Sequence, residues 1–215
     1  MQWLIDTLMQ WLIKTMVWLP AILIGLTFHE FAHGMAADRL GDSTPARQGR
    51  LTLNPLPHID WLGFLMLLIF KFGWAKPVQV DPRNFKNISQ KTGMMLVSLA
   101  GPGMNIMLAL LSMVALKLLL PWQGASWASL MIPLLGPLVL INLILAAFNL
   151  IPLPPLDGSK ILAGVLPDAG ARWLYSLEQY GPLVLLLLIV TNTVGKLLWP
   201  LVNFLYGVLN MLVAL

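Results

Sequence analysis

"TGMMLVSLAGPGMNIMLALLSMVAL", residues 92–116, carries no charge over 25 residues. A helix needs about 20 mostly apolar residues to cross a bilayer, so this stretch predicts a transmembrane helix, which we place at 92–120. The whole chain has the same character. Of its 215 residues, 58% are hydrophobic and 10% are charged, whereas soluble domains carry roughly 25% charged residues. The sequence therefore predicts an integral membrane protein embedded in the lipid bilayer.

Other largely apolar runs predict further spans. One covers 8–40 and another covers 126–150, and the tail offers two more at 176–195 and 197–215, around Lys196. We therefore expect about five transmembrane helices in a single membrane-embedded domain, residues 1–215.

The run "WLGFLMLLIF", residues 61–70, is too short to span a bilayer. Positive residues flank it on both sides, and these are Arg39, Arg47, Arg50, Lys76, Arg83, Lys86 and Lys91. Because positive flanks favour the cytoplasm, we expect the run to enter and leave on one side as a re-entrant segment, with the N-terminus outside. The alternative is a short, tilted sixth span.

Two segments near this run alternate polar and apolar residues. They are "RLTLN" at 50–54 and "KPVQV" at 76–80, and the alternation predicts short β-strands at the membrane surface. The expected fold class is thus an all-α integral membrane protein with a re-entrant segment and short membrane-surface strands.

"HEFAH" at residues 29–33 places His29, Glu30 and His33 in an apolar stretch. Residues four apart share a helix face, so both imidazoles can bind one metal ion, and neutral imidazole suits Zn²⁺. The adjacent glutamate can take a proton from a metal-bound water. The alternative is a buried polar network without a metal, although ionisable residues within spans are usually functional.

A catalytic zinc site needs a third protein ligand. His58 and Glu178 are candidates, but the strongest is Asp157 in "NLIPLPPLDGSKIL", residues 149–162. Prolines end the preceding helix and leave this carboxylate on non-helical backbone at membrane depth, which is tolerated when it lines a wet cavity. Asp157 could instead cap a helix that begins at Ser159, and the residues alone leave both roles open.

Several polar residues have two readings. Asn142 and Asn149 share a helix face, and Asn149 is a candidate for binding the substrate backbone or the oxyanion, with plain helix–helix bonding as the alternative. We expect Asn105 to serve packing or helix contact, with a position facing the active site as the alternative, and we expect His58 to bond within its loop. The net charge of +4 is modest, and the Lys and Arg residues lie in short clusters, so no nucleic-acid partner is expected. The absence of cysteine excludes disulfides and thiolate ligands.

Four motifs together resemble the site-2 proteases, a family of zinc intramembrane metalloproteases. They are "HEFAH" at 29–33, "GRLTLNPLPHID" at 49–60 with "FGWAKPVQVDPRNF" at 72–85, "LAGPGMN" at 99–105 and "NLIPLPPLDG" at 149–158. The resemblance covers nearly the whole chain, and the second motif is similar to that of a small bacterial and archaeal branch.

The resemblance implies Zn²⁺ bound by His29, His33 and Asp157, with Glu30 as general base. It also implies that the spans 8–40, 92–120 and 126–150 form the core, that 176–195 and 197–215 are accessory, and that the substrates are transmembrane helices of other proteins. The expected location is the inner or plasma membrane of a bacterial or archaeal cell, with the active site toward the cytoplasm. No insertion is long enough for a PDZ or CBS domain.

A helical substrate must unwind before its backbone can be cut, and freed backbone groups cost several kcal/mol in a membrane if unpaired. We therefore expect the substrate to pair as an added strand beside 50–54 or 76–80, with Val78 and Val80 contributing. The alternative is that the two segments pair only with each other.

Two other classes of function compete with proteolysis. A metal transporter or channel would need a polar path, and the spans between 92 and 150 contain few polar residues. An inactive binder of helical substrates would not need Glu30. The sequence leaves the substrate and the oligomeric state open.

Overall fold

The computed structural model of the protein describes residues 2–70 and 73–214. Helices dominate these residues, and short 3₁₀ turns join several of them. The α-helices are α1 (Gln2–Arg39), α2 (Thr44–Arg47), α3 (Trp61–Phe70), α4 (Gln90–Leu119), α5 (Ser126–Asn149), α6 (Asp157–Val165), α7 (Asp168–Ser176), α8 (Gly181–Val190) and α9 (Thr193–Ala214).

Five helical segments of the described chain are long and apolar enough to cross a membrane, in agreement with the predicted number. They are Thr15–Arg39, Gln90–Trp122, Ser126–Asn149, Asp168–Val190 and Thr193–Ala214. The fourth combines α7, a 3₁₀ turn and α8. The break before α9 lies at Asn192, which adopts a positive φ of 56°, so Lys196 lies within α9 rather than between two spans. Leu215, the last residue of the predicted span 197–215, lies outside the described residues.

The helices α1, α4 and α5 pack against one another, and α9 covers α4 and α5. Small residues let helix backbones approach closely in a membrane bundle, and buried alanines line these contacts. The main apolar cluster consists of Ala109, Met113, Val139, Leu143, Ala147, Val202 and Leu209. This packing brings the middle of α4 against the part of α1 that carries the histidines.

The chain folds back directly after α3. Its 10 residues span about 15 Å, half the thickness of the bilayer core. Ile59 and Ala75, before and after the helix, form an antiparallel β-bridge. A Cβ atom on Gly63 would lie 2.2 Å from the carbonyl oxygen of Trp74, and one on Gly73 would lie 2.1 Å from the carbonyl oxygen of Gly63. The two ends of this segment therefore lie side by side.

The segments 50–54 and 76–80 do not pair with each other as strands in the described structure. The antiparallel pairing lies instead between the residues directly before and after α3. There the N–H of Lys76 donates to the carbonyl of His58 at 2.9 Å. Pro77 has no N–H group and cannot extend this pairing. Phe72, the first residue of the motif at 72–85, lies outside the described residues.

Candidate metal centre

Two histidine side chains of α1 face one point inside the bundle. His29 and His33 are four residues apart, so one helix face presents both rings, and their Nε2 atoms lie 3.0 Å apart. The ring planes are nearly perpendicular, at 88°. Their exposed fractions are only 5% and 8%, so their ring nitrogens need partners within the protein.

The partners of the two Nδ1 atoms define where the imidazole protons lie. His29 Nδ1 is 2.7 Å from Asn105 Oδ1, and that oxygen is the acceptor because Asn105 Nδ2 donates to the carbonyl of Gly25. His33 Nδ1 is 2.7 Å from the carbonyl oxygen of Val97, which can only accept. Each neutral ring therefore carries its proton on Nδ1 and presents the lone pair of Nε2.

Asp157 completes the group from a different element. It is the first residue of α6, which follows a proline-containing loop, and its Oδ2 lies 3.3 Å from His29 Nε2 and 3.1 Å from His33 Nε2. The side chain caps no helix, since the N-cap residue of α6 is Leu156. Of the two roles that the residues alone left open, the structure thus directs this carboxylate toward the histidines.

These three atoms form a donor set that fits a cation. Two lone pairs and a carboxylate oxygen within 3.0–3.3 Å of one another repel unless a positive charge lies between them. In a tetrahedral zinc site with bonds of about 2.0–2.1 Å, ligand atoms lie about 3.3 Å apart. Two imidazoles and one carboxylate form a ligand set of catalytic zinc sites with an open fourth position. Within residues 2–70 and 73–214, no other group of three such side chains could share an ion.

The close approach of α4 to this group depends on Gly101. A Cβ atom there would lie 2.4 Å from His33 Nε2 and 2.6 Å from His29 Cε1, distances that real Cβ contacts do not reach. Gly103, two residues further on, has no such neighbour within 4 Å. Only a residue without a side chain fits beside the histidines at position 101.

Asn105 makes the helix contacts expected of it and also faces the histidines, which was the alternative. It is fully buried, and its amide makes three contacts, to His29, to the carbonyl of Gly25 and, at 2.8 Å, to Oδ1 of Asn142. Asn142 in turn donates to the carbonyl of Leu138. The available signal was an amide in the middle of an uncharged span, where an unpaired polar group is costly.

Glu30 lies next to His29 on α1, and its carboxylate contacts the chain that returns from α3. Its Oε2 accepts a hydrogen bond from the backbone N–H of Val78 at 2.8 Å. Its negative charge also favours the charged form of the nearby Arg50 side chain. The arginine donates to the carbonyls of Pro57 and Lys76. The carboxylate beside the two histidines is therefore held by a backbone group of an irregular segment.

The other predicted site residues lie outside the group of three. His58 is buried, and its Nε2 lies 2.9 Å from the carbonyl of Thr52, which agrees with the local role expected of it. Glu178 is exposed. Asn149 ends α5 and donates to the carbonyl of Leu145 in its own helix.

A carboxylate beyond the end of α1 ties the returning chain to that helix. Asp42 is fully buried and accepts hydrogen bonds from the backbone N–H of Thr44, the backbone N–H of Asp81 and the side chain of Asn84, at 2.7–3.0 Å. Burial alone would raise the pKa of Asp42, but the donors, led by the Thr44 hydroxyl, bring it below its usual value. Asp42 is therefore held in its charged form.

Comparison with known proteins identifies similar sequences. A family described as "Peptidase family M50" matches residues 120–190. "Putative zinc metalloprotease YwhC" of Bacillus subtilis (strain 168) is 36% identical over 200 residues, 92% of this chain and 88% of that protein. "Putative zinc metalloprotease Rip2" of Mycobacterium tuberculosis (strain ATCC 25618 / H37Rv) is 34% identical over 192 residues, 86% of this chain and 70% of that protein.

An archaeal protein is similar as well. "Putative zinc metalloprotease MJ0611" of Methanocaldococcus jannaschii is 31% identical over 144 residues, 67% of this chain and 68% of that protein. No solved structure matches the chain significantly.

Proposed function

The chain belongs to peptidase family M50, the site-2 proteases, and from that premise we propose that it is a zinc metallopeptidase that cleaves peptide bonds within or near transmembrane helices. His29, His33 and Asp157 would hold the zinc ion, and Glu30 would be the general base. The whole chain, 1–215, would act as one membrane-embedded domain.

One observation carries this proposal. The ligand group is buried in a bundle whose helices are apolar enough to span a membrane. A soluble protease needs neither feature, whereas a bond inside a membrane helix can only be cut by groups at that depth. Burying a carboxylate is costly unless it is paired or binds a metal. A zinc ion bound by Asp157 would offset this cost and would serve hydrolysis at the same depth.

The chemistry divides among few groups. Bound zinc supplies a water of lowered pKa and polarises the scissile carbonyl. Glu30 takes the proton of the attacking water on a carboxylate oxygen and delivers it to the leaving amine. Asn105 keeps His29 protonated on Nδ1, so that its Nε2 stays available as a ligand.

Replacing the base tests this assignment. Purified Glu30→Gln protein should retain about one zinc per chain but cleave a synthetic transmembrane peptide roughly 10²- to 10⁴-fold more slowly, the usual share of general acid–base catalysis. Zinc is measured by mass spectrometry of the purified protein, and cleavage is followed by release of a quenched fluorophore.

Two results would contradict the assignment. Cleavage by Glu30→Gln at the native rate would show that Glu30 is not the base. A zinc-loaded native protein that binds the peptide without cutting it would favour the inactive binder, and metal flux through proteoliposomes would favour the transporter.

We also propose that residues 61–70 form a re-entrant segment. The shortness of α3, the bridge between Ile59 and Ala75, and the contact of Gly63 with Gly73 all support it. The positive flanks support a topology in which both ends, and the active site, would face the cytoplasm of a bacterial or archaeal cell. The chain has no cysteine, so single cysteines at Ser43 and Asn87 should be labelled from the same side. Labelling from opposite sides would make the segment a span.

The proposed substrates are transmembrane helices whose unwound backbone pairs with the edge formed by residues 76–80, and Val80 is part of this edge. An apolar cavity of about 820 Å³ lies between α1, α3, α5 and the turn from α8 to α9, and its lining includes Trp74 and Ala75, directly before this edge in the chain. It would receive apolar side chains of an unwinding substrate, while the edge supplies backbone partners without regard to side chains.

A further inference from the structure

Arg50 is a buried cation for which the proposed reaction has no use. Its exposed fraction is 5%, and its two terminal nitrogens donate to the carbonyls of Pro57 and Lys76. The sequence suggested a flanking charge that orients the chain, but the structure places it between two loop segments. Burying an arginine is costly, so its position needs a reason beyond topology.

The two carbonyls that Arg50 contacts belong to segments that meet beside α1. Both backbone groups of Lys76 are hydrogen-bonded. Its N–H donates to the carbonyl of His58 at 2.9 Å, and its own carbonyl accepts from the Arg50 side chain. Two residues further on, the N–H of Val78 donates to Glu30 Oε2 at 2.8 Å. Fixing residue 76 therefore fixes the start of the short segment that brings the N–H of Val78 to Glu30.

This contact limits the freedom of the Glu30 side chain. Glutamate has several rotatable bonds, and it loses considerable entropy when it is ordered. A hydrogen bond to Oε2 selects one orientation and leaves Oε1 for a water molecule. Neither Arg50 nor Val78 reaches the metal ligands by any hydrogen bond of the described structure.

We propose that Arg50 and the backbone N–H of Val78 are positioning groups for Glu30. Arg50 fastens the segment that carries Val78, and the Val78 N–H orients the carboxylate beside the metal centre. Both roles rest on the proposed function, because Glu30 acts as a base only there.

The same contact narrows where a substrate can pair. The Val78 N–H is already used by Glu30, whereas the N–H groups of Gln79 and Val80 have no partner among the described residues. A substrate strand would therefore use the donors of Gln79 or Val80, and Val78 would serve the base instead.

Hydrogen exchange tests the contact without any reaction. In Glu30→Ala the amide of Val78 loses its acceptor, so exchange in residues 76–80 should accelerate about tenfold. Glu30→Gln retains an acceptor oxygen and should stay close to the native rate. Both proteins are measured with zinc and after chelation, so that metal content cannot explain a difference. Equal exchange in the two variants would overturn the contact.

Steady-state kinetics test the positioning role of Arg50. Arg50→Gln should lower kcat roughly 10- to 100-fold, as expected for the loss of charge-assisted hydrogen bonds, with KM changed less than about twofold. Arg50→Lys should restore part of kcat, because lysine keeps the charge without the planar fork. Arg47→Gln is the matched control, since it removes the same charge from an exposed side chain whose one hydrogen bond among the described residues is to Thr44.

A pair of proline variants separates base positioning from substrate pairing. Val78→Pro removes the donor to Glu30 and should lower kcat on a helical peptide and equally on one unwound by a Gly-Pro pair. Val80→Pro removes an open donor, so it should mainly raise KM, and the unwound peptide should relieve that defect. All variants should keep their zinc, which also serves as the check on folding.

Each result has a definite reading. A KM defect in Arg50→Gln that the unwound peptide relieves would mean that Arg50 acts through the substrate edge, which overturns the positioning of Glu30. Native kcat in both Arg50→Gln and Val78→Pro would overturn it as well. If the native protein cleaves neither peptide, the proposed function fails, and the exchange experiment still decides whether Val78 holds Glu30.

Discussion

His29 and Glu30 are neighbours on α1, yet two different parts of the molecule hold them. The histidine faces α4 and α6, where buried side chains contact it from regular helices. The glutamate faces residues 50–59 and 73–81, which we call the cover. In this largely irregular region, the backbone N–H of Val78 contacts it and the charge of Arg50 lies nearby. One helix turn thus carries groups with very different surroundings.

The difference in surroundings fits the roles that we propose for the two groups. Ligands bind a metal well only when their atoms are held to within about 0.5 Å, which helices achieve better than loops. A base that acts on an incoming chain must lie where that chain can enter, and loops on a rigid scaffold serve this purpose. We therefore expect changes on the helical side to affect metal binding, and changes in the cover to affect turnover or local stability.

The largest effect should come from the ligands themselves. His29→Ala, His33→Ala and Asp157→Ala should each lose most of the zinc, about one ion per chain. The loss in affinity should exceed the roughly 10- to 100-fold typical of residues that only hydrogen-bond a ligand. Zinc is counted by mass spectrometry after dialysis against a weak chelator.

His58→Ala and Glu178→Ala are the controls for these variants, and both should keep zinc. If Asp157→Ala holds zinc fully while His58→Ala loses it, the third ligand is wrongly assigned.

A change that touches no ligand should come next. Gly101→Ala inserts a methyl group where it would lie 2.4 Å from His33 Nε2, so either the ring or α4 must move and zinc affinity should fall about 100-fold or more. Gly103→Ala meets nothing within 4 Å. It should leave zinc affinity unchanged and gain up to about 1 kcal/mol of helix stability. Equal zinc affinity in the two variants would contradict the tight approach of α4.

The network behind His29 should have a smaller effect. Asn105→Ala removes the acceptor of His29 Nδ1 and should weaken zinc binding roughly 10- to 100-fold. Asn149→Ala removes an amide whose one hydrogen bond among the described residues is within its own helix, so zinc affinity should stay native. Competition with a fluorescent chelator measures both constants. Native affinity in Asn105→Ala would show that Asn105 serves packing alone.

The smallest effect should arise at Asp42, which ties the cover to α1. Its pKa is lower when folded than when unfolded, so its contribution is present above the unfolded pKa of about 3.9 and is lost as pH falls through the folded value. Asp42→Asn should cost about 2 kcal/mol at pH 7. The Tm difference between the native protein and this variant, both without zinc, should shrink below about pH 4.

Asp38→Asn is the matched control, because Asp38 is exposed at the end of α1. It should change stability by no more than about 0.5 kcal/mol at either pH. A Tm difference for Asp42→Asn that is equal at pH 7 and below pH 4 would rule out a role for its charge.

Comparison of prediction and structure shows which features are local. The number of membrane helices followed from uncharged runs, and the pairing of His29 with His33 followed from their spacing on one helix. The strands expected at 50–54 and 76–80 do not form in the described structure, because their pairing depends on more than the local pattern. Alternation of side chains indicates extended chain but not its partner, and the partner of residue 76 proved to be His58.

By itself the sequence determined the class of protein, the approximate spans and the shared face of the two histidines, because composition and periodicity act over a few residues. Only the tertiary structure decided that Asp157 faces those histidines and that Asn105 forms a hydrogen bond with one of them. It also decided that the N–H of Val78 donates to Glu30 and that Arg50 holds the adjacent Lys76 carbonyl. These partners are 26 to 128 residues apart in the chain. Their meeting depends on how α4, α6 and the segment after α3 pack against α1, and no local pattern specifies that packing.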